Sequence, residues 1–201
     1  MGTQEDLRTM GLAEHPAVAA KWAEFARGDD AGHEFAVIEA MSEGVVFTSV
    51  EHSVGEADAV AVLRPRLSVE QKRAAIARAF SPAEKPYDFD FFSSDKLVCT
   101  EVVYRAFGDM LTLPLVEILG RKTLPALEIM RAWATPQGER ELDFVAFLDG
   151  DEKTGACQWA DEATLRESME RPALTWMNLG LVRGGERVRH EKTRNKKGPG
   201  E

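Results

Sequence analysis

Leu97-Val98-Cys99-Thr100-Glu101-Val102-Val103-Tyr104-Arg105-Ala106-Phe107 is the stretch from which the rest of the chain can be read. Its apolar residues Val102, Val103, Ala106, Phe107 and Met110 recur at the spacing of one helical face. That spacing predicts an amphipathic helix from about Val98 to Asp109. The preceding loop, Tyr87-Asp88-Phe89-Asp90-Phe91-Phe92 and then Ser93-Ser94-Asp95, delivers Cys99 into the first turn. Free amides and the helix dipole there favour a thiolate and offer donors to a developing oxyanion. Cys99 is therefore a candidate nucleophile. Its position also fits a plain core cysteine, because it shares the face of Val102, Val103 and Ala106. Glu101, just inside the helix, reads as a cap acting through the dipole.

Outward from this helix, the pattern alternates between short strands and capped helices. Ser68 followed by Gln71 forms a capping box for a helix over 68–80, with Val69, Ile76 and Phe80 inward. Pro82 and Pro86 bound the loop between the two helices. Phe35–Glu39, Gly44–Val50 and Ala59–Leu63 read as short strands. The Ala-rich run from Pro16 to Arg27 reads as one helix stopped at Gly28, with Val18, Trp22 and Phe25 on a common face. Later, 124–134 reads as a helix, 142–148 as a strand and 161–170 as a helix capped by Asp161. Strands clustered early, with helices beside and after them, indicate an α+β domain with a short antiparallel sheet packed on the Cys99 helix and extra helices around it.

Composition narrows the function classes. The chain has 201 residues, 44% hydrophobic and 29% charged, with a net charge of −9. It is long enough to bury a core without disulfides or metals. The acidic balance argues against a nucleic-acid partner. From Arg183 to Glu201 there are seven Lys or Arg against three Asp or Glu, so this end carries about +4 and the remainder about −13. Its Gly-rich, apolar-poor composition predicts a disordered basic tail over 183–201, after a folded unit over 1–182. Cys99 and Cys157 form neither a disulfide framework nor a zinc pattern, which suits a reducing, cytoplasmic setting. The tail offers a peripheral contact with an anionic membrane surface. Nothing in the sequence calls for a cofactor or a metal ion.

The Tyr87-Asp88-Phe89 loop followed by Cys99-Thr100-Glu101-Val102-Val103-Tyr104 resembles the nucleophile motif of the permuted papain-like amidases, the YaeF/YiiX group related to NlpC-type cysteine hydrolases. A second block, Val37-Ile38-Glu39-Ala40, Gly44-Val45 and Val60-Ala61-Val62-Leu63-Arg64-Pro65, resembles that family's strand-turn-strand segment. The two blocks stand in the family's permuted order, with the cysteine after the strands, and the resemblance spans roughly residues 35–110. It implies hydrolysis of an amide bond through a cysteinyl acyl-enzyme, on a peptide-like or acylated-amine small molecule. By the resemblance Cys99 is the nucleophile. Glu39 matches the family's acidic residue, which would orient an imidazolium or hold a polar network. Tyr87 and Asp88 would line the cleft, although Asp88 and Asp95 fit turn and capping roles equally well.

Papain-like chemistry also needs a histidine. The chain has His15, His33, His52 and His190. His190 lies in the basic tail, and His52 in a Glu-His-Ser-Val-Gly turn. His33 precedes the Glu39 strand, about 20 Å from its far end if the chain is extended. His15 is the one candidate for the base within the chain: it would face Glu39 if 15–26 and 33–39 formed a hairpin, which the alanine content opposes. The segment that carries the histidine in the resembling family has no counterpart here, so the expectation is that it lies upstream of Met1 or is absent. Two other readings stay open: a non-catalytic binding domain on the same fold, and a thiol acyltransferase.

Overall fold

The structure is a computed structural model that describes residues 1–55, 57–88, 96–118, 120–151 and 156–171. The elements run α1 (Gln4–Thr9), α2 (Pro16–Ala19), α3 (Trp22–Phe25), β1 (Val37–Met41), β2 (Gly44–Thr48), α4 (Val50–Gly55), β3 (Ala59–Pro65), α5 (Val69–Phe80) and α6 (Cys99–Phe107). They continue with β4 (Val116–Ile118), β5 (Arg121–Thr123), α7 (Ala126–Trp133), α8 (Gly138–Glu141), β6 (Leu142–Asp151), β7 (Ala156–Ala160) and α9 (Glu162–Ser168). The mixed α+β character read from the sequence is present, built on small antiparallel sheets. The expected basic tail, His190, Phe89–Phe92 and Asp95 lie outside the described residues.

β1 and β2 form a hairpin joined by the two residues Ser42 and Glu43, in a register that pairs Ile38 with Phe47, Glu39 with Val46 and Ala40 with Val45. Alternation sorts the side chains. Ile38, Ala40, Val45 and Phe47 face the core. Glu39, Val46 and Thr48 share the opposite face by the same period. At the turn, Gly44 has φ +114°, and a Cβ there would stand 2.5 Å from the Lys85 carbonyl oxygen. That contact is part of a short pairing: Val45 N–H donates to Lys85 O at 2.8 Å, and Glu84 N–H to Val45 O at 2.8 Å. The loop leading toward Cys99 is thus stitched to the hairpin edge.

Two cores flank this arrangement. Phe25, Phe47 and Phe80 meet at ring-centroid distances of 5.0–5.5 Å and are joined by Leu7, Leu12, Val18 and Phe35. The second core packs Trp133, Phe147, Leu142 and Leu165 under the sheet β3-β6-β7. β3 is close in sequence to the hairpin but pairs with β6, with a register shift between Val62 and Leu63 that keeps Leu63 and Phe144 on the core side.

Several local expectations are corrected. The single helix over 16–27 divides into α2 and α3 at Lys21, which has non-helical φ −117° and whose ammonium pairs with Glu84. Val18 and Phe25 still reach the core. The first strand begins at Val37, and Phe35 is a buried core residue ahead of it. The turn expected around His52 is helix α4: the Ser49 hydroxyl accepts from His52 N–H at 3.2 Å and the Ser49 carbonyl from Ser53 N–H at 3.1 Å. Residues 1–14, which carry no clear pattern, hold α1 with a complete Thr3/Asp6 capping box.

Candidate active site

Cys99 is the first residue of α6. Its helix starts where the sequence places it because Glu101 reaches back to accept from Val98 N–H at 3.0 Å, the role expected of that residue. Val98 has no side-chain acceptor of its own, so this is half a capping box. Leu97 and Val102 pack on Ala40 and Val45, which seats the start of α6 against the hairpin, with Tyr87 alongside. The approaching chain is fixed by a bridge between Tyr87 and Leu97. Leu97 N–H donates to Pro86 O at 3.0 Å and Asp88 N–H to Leu97 O at 3.1 Å. Asp88 is 1% exposed, so its side chain belongs to the interior beside the helix start rather than to a surface turn.

Four of the sequence-selected residues therefore share one neighbourhood: Cys99, Tyr87, Asp88 and Glu39. Their fields overlap. Cys99 is exposed as a residue, yet the protein around its sulfur is the largest influence on the thiol and pushes its pKa up. The amides of Thr100 and Cys99 pull the other way, as a helix start should. The negative charge of Glu39 adds to the upward push. Tyr87 is likewise raised, by burial first and then by the charges of Cys99 and Asp88. The net balance raises the thiol above its ordinary value.

Glu39 is held by two hydroxyls. Thr48 Oγ1 donates to Glu39 Oε1 at 2.5 Å, and Ser53 Oγ donates to the same oxygen at 2.7 Å. The two hydroxyls lie 2.9 Å from each other. Beyond Thr48 the polar cluster continues through Ser49, whose buried hydroxyl donates to Asp29 Oδ2 at 2.8 Å. Asp29 also accepts from the His33 ring at 2.9 Å, from His33 N–H at 2.8 Å and from Ala31 N–H at 3.0 Å. Burial opposes the Asp29 charge, but these bonds outweigh it and lower its pKa to about 2. The same contacts raise His33. A cavity of about 230 Å³ opens on this side, lined by Arg27, Asp29, Thr48, Ser49 and His52 among others; Cys99 is not in its wall.

The histidines fall elsewhere. His15 caps α2, its Nδ1 accepting from Ala17 N–H at 3.3 Å, and the hairpin that would set it opposite Glu39 does not form because 16–19 and 22–25 are helical. His33 is bound to Asp29, and His52 sits on α4. Among the described residues no histidine is hydrogen-bonded to Cys99, and no group of His, Cys, Asp and Glu is arranged to hold a metal ion. Thr48, Ser53, Ser49 and Asp29 were not singled out from the sequence. Thr48 was within reach of period-two reasoning, since the two-residue turn puts it on the Glu39 face; Ser53 needed α4 to be recognised.

A short hairpin is thus packed on the start of a cysteine-headed helix, with the charge of an acidic hairpin residue felt at the sulfur. Residues 9–170 match the permuted papain-like amidase enzyme, YaeF/YiiX, C92 family, and the chain belongs to that family. No curated protein and no solved structure matches the chain. Among the described residues, no helix is long and apolar enough to cross a membrane.

Proposed function

We propose that the chain is a cysteine-dependent amidase acting on a peptide-like or acylated-amine small molecule, with Cys99 as nucleophile. The supporting observation is the position of Cys99 at the head of a nine-residue helix, with the amides of Cys99 and Thr100 turned toward its sulfur. In the reaction the thiol gives up its proton, and sulfur bonds to the amide carbonyl carbon. The amides at the helix start then hold the oxyanion. Collapse breaks the C–N bond, the amine leaves with the proton, and water hydrolyses the thioester to release the acid and restore the thiol. Glu39 adds to the field at the sulfur. Because the thiol is raised, turnover climbs with pH through the alkaline range.

The test uses the full chain with Cys157→Ser, so that Cys99 is the single thiol, and an acyl-peptide p-nitroanilide as probe. Release of p-nitroaniline that rises from about pH 7 to about pH 9 and is lost in Cys99→Ala supports the reading. No release from the parent chain at any pH, or release that survives Cys99→Ala, overturns it. A second reading, a non-catalytic binding domain, is favoured by one observation: a raised thiol to which no histidine among the described residues is bonded. Absence of turnover together with slow alkylation of Cys99 by iodoacetamide at neutral pH is the result that reading expects.

A further inference from the structure

Glu39 lies on a hairpin strand half-open to solvent, where a lone glutamate would sample many rotamers. Here it does not. Both hydroxyl bonds converge on Oε1, and among the described residues Oε2 takes part in no hydrogen bond. One donor, Thr48, comes from the neighbouring strand and is buried; the other, Ser53, comes from α4. The two hydroxyls also lie 2.9 Å apart, so with both protons given to Glu39 the three side chains form a compact cluster. Bonds to a charged acceptor are stronger than neutral ones and fix direction. Ser53 is in turn fixed by its helix, which begins on the buried Ser49.

We infer that Thr48 and Ser53 are positioning residues that hold the Glu39 carboxylate by one oxygen and so fix where its charge stands on the strand packed beside the Cys99 helix. The inference rests on the reading of Glu39 and Cys99 as one site, and extends it to two residues that carry no chemistry of their own. A hydroxyl pair suits this task because each group donates to the carboxylate without neutralising it, as Lys or Arg would. Among the described residues, the other ionisable groups near the sulfur are Tyr87 and Asp88 on the bridged segment and Glu101 on α6 itself.

The experiment reads the thiol rather than hydrolysis. Iodoacetamide alkylation of Cys99 is followed against pH in the Cys157→Ser chain, with and without Glu39→Gln. Removing the Glu39 charge speeds alkylation at fixed near-neutral pH by roughly threefold, since one less anion opposes the thiolate. Thr48→Val with Ser53→Ala is expected to shift the rate by at least about half that factor when Glu39 is present and not at all in the Glu39→Gln background. Thr48→Ser, which keeps the hydroxyl, restores the parent profile. Ser53→Ala alone, an α4 change that leaves the buried Thr48 intact, gives a smaller shift of the same sign if the double variant fails to fold. A rate that stays at the parent value, or the same change in both backgrounds, overturns the inference. Failure of p-nitroanilide hydrolysis would overturn the amidase reading and leave this result standing, so the two are separable.

Discussion

The region around the β1–β2 hairpin and the region around the β3-β6-β7 sheet use carboxylates in opposite ways. Under the larger sheet, acids are matched to arginines. Asp149 takes both ends of the Arg171 guanidinium at 2.5 and 2.6 Å, Asp143 pairs with Arg66, and Arg166 joins Glu139 and Glu162 while stacking 4.5 Å from the Trp133 ring centre. At the hairpin, Glu39 and Asp29 are satisfied by hydroxyls, amides and a histidine ring. Arginine pairing spends a charge on holding the fold, whereas hydroxyl pairing holds a carboxylate still and leaves its charge in place. The larger sheet is tied by paired charges, and the smaller hairpin packs against the start of the helix that Cys99 heads.

The sharpest way to break that contrast is at the sulfur. Cys99→Ala should remove amide hydrolysis by at least about a thousandfold, while Cys157→Ser on β7 leaves it intact; p-nitroanilide kinetics on the two variants decide it. Next come the two cores. Phe80→Ala and Trp133→Ala should each cost about 3–5 kcal/mol in urea unfolding. Only the first should change the alkylation profile of Cys99, because Phe80 packs on Phe47 of the hairpin. Equal changes from both would show that the two regions are one unit energetically.

A smaller effect is expected from Asp29→Asn, read as thermal stability against pH. Asp29 is lowered in the folded state, so its contribution is present above its unfolded value near 4 and fades as pH falls through about 2. His33 is raised, so its contribution is full below about 6.5 and is lost as pH rises through its folded value. The deficit of the variant should be widest between about pH 4 and about pH 6.5. A deficit independent of pH would deny the pairing. The smallest change is Glu101→Gln, which weakens the cap at Val98 and should cost about 0.5–1 kcal/mol, measured by urea unfolding.

Much of the fold was legible where local chemistry is strong. The Ser68/Gln71 box starts α5, Asp161 starts α9, and the apolar stripe of α6 with its Glu101 cap places Cys99 at the helix head. The family motif around Tyr87 and Cys99 was legible too. Pairing over distance was not: nothing local in Ala59–Pro65 says that it joins β6 some 80 residues later rather than the hairpin beside it. The break at Lys21 escaped because alanine favours helix on both sides of it. The hydroxyl clamp on Glu39 escaped because it requires the hairpin register and α4 together, and neither Thr48 nor Ser53 belongs to a recognisable motif.

Gly44 carries a consequence for how this protein can vary. It needs a positive φ, and it has no room for a side chain because the Lys85 carbonyl stands against it. Lys85 opens the segment that runs through Tyr87 to the bridge at Leu97 and so to Cys99. A single missing methyl group therefore couples the hairpin turn to the placement of the sulfur. A side chain at Gly44 would have to displace the Lys85 carbonyl, and with it the start of the segment that leads to Cys99.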